Sequence, residues 1–166
     1  AAEIMAMKTD LPLCKVKELF CSESGYQTPK VDTRAAIFRD DKILLVHEKN
    51  GTWSLPGGWC EFNMSPADNT VKEAREEAGR NITVKSVIAV QSREKHNKPQ
   101  YAYGVVKIFY LCSDLGGEFC ENSETTEAKF FACEDLPRLA EEKCNKEQIL
   151  MCFKANSDKN WVTLFD

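Results

Sequence analysis

Residues 53–80 of this 166-residue chain, WSLPGGWCEFNMSPADNTVKEAREEAGR, decide how it folds. Their second half predicts a helix, because Ser65 can cap the first turn, Pro66 suits the first helical position and Gly79 can end the last turn. Small apolar residues recur within it at helical intervals, at Ala67, Val71, Ala74 and Ala78. A narrow stripe of this kind can pack closely on a sheet, so we expect the helix to lie against one.

The other side of the predicted helix carries Glu73, Glu76 and Glu77, which crowd one surface at spacings of three and four residues. Considered alone, these carboxylates fit a solvated face of mixed charge. The preceding residues 55–58, Leu-Pro-Gly-Gly, favour another interpretation, because two glycines after a proline allow a sharp turn with exposed carbonyls. Since Mg²⁺ prefers carboxylate and carbonyl oxygens, loop and helix together predict a cation site.

Strands and further helices are predicted on both sides of this segment. Apolar patterns predict strands at 31–38, 43–46, 53–55, 84–90, 103–111 and 128–131. The Asp40-Asp41 and Asn50-Gly51 pairs predict turns. Helical spacing predicts a short amphipathic helix that ends near Cys21 and a closing helix at 147–153. The fold class is therefore α/β, without a regular strand–helix–strand repeat.

The loop and helix resemble the signature of the Nudix family, commonly written G-x5-E-x7-R-E-U-x-E-E-x-G-U, where U is a bulky apolar residue. The residues that match in register are Gly58, Glu73, Glu76, Glu77 and Gly79. Three positions depart from it: Met64 replaces the first Glu, Lys72 replaces the Arg and Arg80 replaces the last apolar residue. The resemblance extends over about residues 31–153.

This resemblance implies a Nudix α/β/α sandwich with a mixed sheet and a short N-terminal helical extension. We expect residues 1–30 to form that extension and a linker, and to be truncated, because the chain opens without an initiator methionine or a helix cap. Residues 31–155 would form the Nudix domain and 156–166 a C-terminal tail. The segment 26–34 and the Gly-Gly-Trp-Cys sequence at 57–60 resemble a bacterial subgroup that acts on X-linked nucleoside diphosphates and includes a CDP-choline pyrophosphatase.

The resemblance also implies the chemistry. Glu73, Glu76 and Glu77 would be catalytic and, with the Gly57 carbonyl, would hold Mg²⁺ or Mn²⁺; Glu73 is one candidate for the general base. Glu124 and Glu127 are second candidates as metal ligands, because the family often takes a further carboxylate from a loop in this part of the chain. An ordinary exposed loop position fits either residue equally well.

Other polar and aromatic residues are weaker candidates. Residues 92–98, Ser-Arg-Glu-Lys-His-Asn-Lys, form a polar segment that could meet a substrate phosphate, although a solvated connection between strands explains it as well. His96 has no partner evident from the sequence. Four aromatic residues could stack on a base, but packing is the simpler role for each: Trp53, Trp59, Tyr101 and Tyr103.

The composition indicates which classes of binding partner and which cellular compartment to expect. A net charge of −4 weighs against a nucleic-acid-binding module. The eight cysteines include no C-x-x-C pair and follow no secretory segment, so we expect reduced thiols, several of them buried, in a cytoplasmic protein with no membrane partner. A homodimer is compatible with the apolar face of the N-terminal helix.

Three functions remain open at this point. The first is hydrolysis of a small nucleotide substrate, either CDP-choline-like or ADP-ribose-like. The second is processing of an RNA end, which the acidic balance disfavours. The third is a catalytically silent nucleotide-binding domain, suggested by Met64 and Lys72.

Overall fold

The computed structural model describes residues 12, 14 and 27–166. In these residues the strands are β1 (Lys30–Arg39), β2 (Lys42–Glu48), β3 (Trp53–Ser54), β4 (Ile82–Ser92), β5 (Val105–Asp114), β6 (Thr125–Phe131) and β7 (Leu164–Phe165). The α-helices are α1 (Pro66–Ala78), α2 (Arg93–His96) and α3 (Lys146–Ser157), with a 3-10 turn at Cys133–Asp135.

The strands form a mixed sheet that divides at the β1–β2 hairpin. These two strands pair only next to their turn, at Phe38–Ile43 and Arg39–Lys42. Beyond it, β1 pairs in parallel with β5, which is antiparallel to β4, whereas β2 pairs antiparallel with β3 and β6. The parallel β1–β5 pairing places side by side residues that are far apart in the sequence.

A helix covers each face of the sheet, and the alternation of side chains along β1 explains why. Ala35 and Ile37 belong to the buried cluster that contains Ala74 and Ala78 of α1. Ala36 instead joins the cluster that contains Ile149 of α3. Successive strand residues point to opposite faces, so an uninterrupted apolar run supplies both cores. The predicted α/β/α sandwich with a mixed sheet is confirmed.

The central helix begins and ends where its sequence predicts. The Ser65 hydroxyl accepts a hydrogen bond of 3.1 Å from the Asp68 N–H, and Pro66 opens the first turn. Gly79 adopts a left-handed conformation with φ 63°, and a Cβ there would meet the Glu118 carbonyl oxygen at 2.1 Å. A glycine is therefore required for the chain to leave the helix at this point.

Some predicted boundaries change. Helix α3 continues to Ser157, two residues beyond the expected division between 155 and 156. The tail beyond it is not detached: β7 pairs with β4, and the Trp161 indole donates a 3.0 Å hydrogen bond to the Ile88 carbonyl. The predicted helix ending near Cys21, with most of the segment 1–30, lies outside the described residues.

The described cysteines include residues of the core. Among the cysteines that the structure describes, all are free, and three are buried, namely Cys112, Cys144 and Cys152. The prediction that several thiols are core residues is confirmed. In the described part of the chain, no helix is long and apolar enough to span a membrane.

Candidate catalytic site

The loop before α1 is fixed by hydrogen bonds to β1. The Pro56 and Gly58 carbonyls accept bonds of 2.8 and 2.9 Å from the Ala35 and Thr33 amides. Between them, Gly57 has φ +145°, and a Cβ there would lie 1.9 Å from the Thr33 carbonyl oxygen. Only glycine fits this close approach. In the described residues, the Gly57 carbonyl accepts no hydrogen bond, so it is available as a ligand.

Glu77 extends from the last turn of α1 to this loop. Its Oε2 atom accepts a 2.8 Å hydrogen bond from the Gly57 N–H, and the residue is only 7% exposed. Burial raises the pKa of Glu77 to about 7, although Arg34 and the Gly57 N–H favour the charged form. Glu77 is thus a buried carboxylate whose charge is only partly compensated.

Glu73 lies one turn earlier and meets the same loop. A Cβ on Gly58 would lie 3.2 Å from its Oε2 atom, so the second glycine leaves room for the carboxylate. Burial raises the pKa of Glu73, and the charges of Glu76 and Glu124 raise it further, against the effect of Lys72. The loop and the helix therefore bring Glu73 and Glu77 together at Gly57-Gly58.

Glu76 does not join this pair. Its side chain is 59% exposed and accepts a 2.8 Å contact from Lys72 Nζ. The three glutamates therefore do not all share one exposed surface, because Glu77 turns inwards while Glu76 stays at the surface. In the part of the chain that is described, no group of three or more acidic, histidine or cysteine side chains is arranged to hold a metal ion.

Lys72 has a partner that the sequence pattern did not reveal. Its ammonium lies 3.2 Å from Glu61 Oε1 and 3.6 Å from Glu73 Oε1, besides its contact with Glu76. The hydrogen bond to Glu76 and the other two carboxylates raise the pKa of Lys72, despite some desolvation. Where Met64 occupies the usual Glu position, Glu61 supplies the carboxylate that contacts Lys72.

The third departure, Arg80, also has a clear role. Its guanidinium forms an ion pair with Asp114 of β5, with a shortest distance of 2.6 Å, and hydrogen-bonds the Gly117 carbonyl. An apolar residue at this position could only pack, whereas Arg80 ties the end of α1 to the next strand pair.

The two second-rank candidates occupy different positions. The loop that carries Glu124 is tied to α1, because Asn122 Nδ2 donates to the Glu76 carbonyl at 2.9 Å and Thr125 Oγ1 donates to the Glu77 carbonyl at 2.7 Å. The charge of Glu124 adds to the raised pKa of Glu73, after the larger effects of burial and of the Glu76 charge. Glu127 is exposed on β6, where it pairs with His47.

A buried ionic network lies beside the site, and sequence reasoning missed it. Asp32 accepts bonds of 2.7 and 2.9 Å from the Arg34 guanidinium and lies 3.0 Å from Lys107 Nζ. Burial opposes ionisation of Asp32, but these two cations hold its pKa below the ordinary value. Arg34 also donates to the Leu55 carbonyl at 3.2 Å, so the network supports the loop before α1.

Residues of the polar segment 92–98 and the aromatic candidates make contacts within the fold. Residues 93–96 form α2, and His96 Nε2 lies 2.6 Å from Asp166 Oδ2. Trp53 packs edge-on against Phe131. Trp59 is 45% exposed and contacts Tyr103 edge-on, with a ring separation of 5.7 Å.

The chain is similar in sequence and in fold to known proteins. The NUDIX domain profile matches residues 28–151. The Bacillus subtilis protein named putative ADP-ribose pyrophosphatase YjhB is 40% identical, over 100% of this chain and 80% of its own. A solved ADP-ribose pyrophosphatase from Streptococcus suis has a TM-score of 0.79 and 50% identity, covering 84% of this chain and 100% of that one. A solved UDP-X diphosphatase has a TM-score of 0.78 and 34% identity, and the match covers 98% of this chain and 80% of that one.

Proposed function

This chain belongs to the NUDIX family of hydrolases, and on that premise we propose that it cleaves the diphosphate of a small nucleoside diphosphate derivative. An ADP-ribose-like substrate is favoured over a CDP-choline-like one, because two similar proteins are named ADP-ribose pyrophosphatases. The UDP-X diphosphatase similarity supports the broader class, in which a nucleoside diphosphate carries a second group.

The observation that carries the proposal is the packing of Glu73 and Glu77 against the Gly57-Gly58 loop. Burial raises the pKa of both carboxylates, so a nearby positive charge would favour their ionised forms. With the Gly57 carbonyl they form a set of hard oxygen donors, the type that Mg²⁺ and Mn²⁺ prefer. The residues therefore fit the divalent cation that NUDIX hydrolases generally need.

We assign Glu73, Glu77 and the Gly57 carbonyl as the inner ligands, with Glu76 and Glu124 reaching the site from its exposed side. A bound divalent cation would neutralise phosphate oxygens and lower the pKa of a water molecule. Glu73 is the candidate to accept a proton from the attacking water, because its pKa is raised and its carboxylate faces the loop. Glu127 lies opposite His47 on β6, and among the described residues it is not one of the charges that act on Glu73, so we do not propose it as a ligand.

The reaction balances without a further reagent. A water oxygen forms a bond to one phosphorus atom, the bond from that phosphorus to the bridging oxygen breaks, and the bridging oxygen leaves on the other phosphate. For ADP-ribose the products are AMP and ribose 5-phosphate. Lys72, held by Glu61, keeps a positive charge next to Glu73 and Glu76 throughout.

The test is turnover of ADP-ribose, CDP-choline, a UDP-sugar and a 5′-capped RNA with Mg²⁺ or Mn²⁺. We expect metal-dependent cleavage of a small substrate, lost in Glu73→Gln and Glu77→Gln. The control Glu121→Gln, at an exposed position, should retain the wild-type rate. Cleavage of the RNA alone would support an RNA-end function instead, and ligand binding without turnover would support a silent domain.

A further inference from the structure

A small cavity of about 70 Å³ lies beside the Gly57-Gly58 loop, between the beginnings of β1 and β5. Its walls combine basic and aromatic side chains, among them Arg34, Trp59, Arg93, Tyr101, Lys107 and Lys143. Two carboxylates, Asp32 and Glu142, line it as well. The basic side chains outnumber the acidic ones, so the cavity favours an anion.

Arg93 is the residue in this wall whose bonding is incomplete. It is only 2% exposed. Nε donates to the Glu142 carbonyl at 3.2 Å and Nη1 to the Pro99 carbonyl at 2.7 Å, while the guanidinium lies 3.4 Å from the Tyr101 ring centroid. Its Nη2 atom is buried and has no hydrogen-bond partner among the described residues. Buried charged donors are costly when unpaired, so this nitrogen marks a place for a ligand oxygen.

The carboxylates nearby do not neutralise Arg93. Asp32 is shared by Arg34 and Lys107, at 2.7 and 3.0 Å. Lys143 pairs at 2.9 Å with Glu48, a residue that does not line the cavity. No ion pair joins Arg93 to an acidic side chain in the described ranges. Its positive charge therefore has no carboxylate partner among the described residues, and an incoming anion can compensate it.

The cavity adjoins the candidate catalytic site through Arg34. That guanidinium lines the cavity, donates to the Leu55 carbonyl at 3.2 Å and lies close enough to Glu77 to affect its pKa. Trp59, which directly follows Gly58, forms another part of the wall. A phosphate bound in the cavity would thus lie beside the candidate catalytic site formed by Glu73 and Glu77.

We propose that Arg93 binds one phosphate of the diphosphate substrate in this cavity, donating from Nη2 to a phosphate oxygen. The proposal rests on the proposed function for its substrate class, but it assigns a binding contact that does not depend on a metal ion. Arginine suits this role because its planar guanidinium can keep two backbone contacts while a third nitrogen meets the phosphate. Arg93 would then be a binding residue that determines affinity for the diphosphate.

The test is calorimetric titration of inorganic pyrophosphate into the full chain with EDTA present, so that binding through a divalent cation is excluded. Wild type should bind, and Arg93→Lys should bind about tenfold more weakly or worse, because a charge-assisted hydrogen bond is lost. The matched control Arg138→Lys, at an exposed position, should bind like wild type. Thermal unfolding of each variant reports whether it is folded.

Tyr101→Leu provides a second variant if Arg93→Lys does not fold. It keeps the guanidinium but removes the ring on which it packs, and we expect weaker pyrophosphate binding. Equal affinity of wild type and a folded Arg93→Lys, or no binding by metal-free wild type, would overturn the proposal. A different outcome is also informative. If wild type binds pyrophosphate more tightly than Arg93→Lys but turns over no substrate, the proposed hydrolysis is refuted and the Arg93 contact remains supported.

Discussion

Replacement of Glu77 by Gln should change how the stability of the metal-free protein depends on pH. Burial raises the pKa of this carboxyl from 4.5 to about 7. The folded state therefore holds a proton that the unfolded state releases, and stability is lost as pH rises from below 4.5 to above 7. A pKa raised from 4.5 to about 7 lowers the free energy of unfolding by roughly 3 kcal/mol once the group is ionised.

The glutamine removes the charge and keeps an oxygen that can accept the Gly57 N–H. In EDTA, the unfolding free energy of Glu77→Gln minus that of wild type should rise by roughly 2–3 kcal/mol between pH 5 and pH 8, measured by urea denaturation. Because most other groups titrate alike in both proteins, the difference reports mainly on Glu77 and on its coupling to Glu73. The Glu121→Gln control should show no such rise, since this residue is exposed.

Divalent cations should act in the opposite direction. At pH 8, Mg²⁺ should stabilise wild type and have much less effect on Glu77→Gln, because a metal ion supplies the charge that the buried carboxylate lacks. Parallel pH profiles for the two proteins in EDTA would contradict this prediction, since they would show that Glu77 ionises as easily in the folded chain as in the unfolded one.

Three further predictions follow from single contacts. Gly57→Ala should lower the unfolding free energy by about 2 kcal/mol or more and abolish turnover, because its Cβ would clash with the Thr33 carbonyl; wild-type urea denaturation and rates would contradict this. Glu61→Gln should reduce kcat/KM about tenfold with an unfolding midpoint close to wild type, because the exposed contact with Lys72 adds little stability; unchanged kinetics would show that Lys72 needs no such partner. Asn145→Ala should lower the unfolding free energy by about 1 kcal/mol and leave kcat unchanged, because it removes the capping box of α3; a loss of kcat would contradict a purely structural role.

Local signals explain why much of the fold could be predicted. The ends of α1 depend on Ser65, Pro66 and Gly79, which act through their own backbone neighbours. The turn at Asp40-Asp41 is similar, since both residues adopt positive φ within the hairpin. Such features need no knowledge of the rest of the chain.

Contacts between distant segments could not be predicted in this way. The Asp32–Lys107 pair exists because β1 and β5 lie parallel and in register, which no local pattern specifies. The Glu61–Lys72 contact depends on the path of an irregular loop. Strand β7 has only two residues, too few for an alternating pattern to show.

The candidate site was predictable in its residue types but not in its arrangement. The spacing of Glu73, Glu76 and Glu77 placed all three on one helix, yet a rotation of about 100° per residue sends Glu77 inwards and Glu76 outwards. Which glutamate is buried depends on where the Gly57-Gly58 loop docks on β1. That docking is a tertiary contact, and it decides which carboxylate has the raised pKa.

The most direct test of metal-dependent diphosphate cleavage at this site is product analysis of ADP-ribose incubated with wild type and with Glu73→Gln, each in Mg²⁺ and in EDTA. We expect AMP and ribose 5-phosphate only from wild type in Mg²⁺. Equal amounts of these products from the Glu73→Gln variant, or from wild type in EDTA, would contradict it.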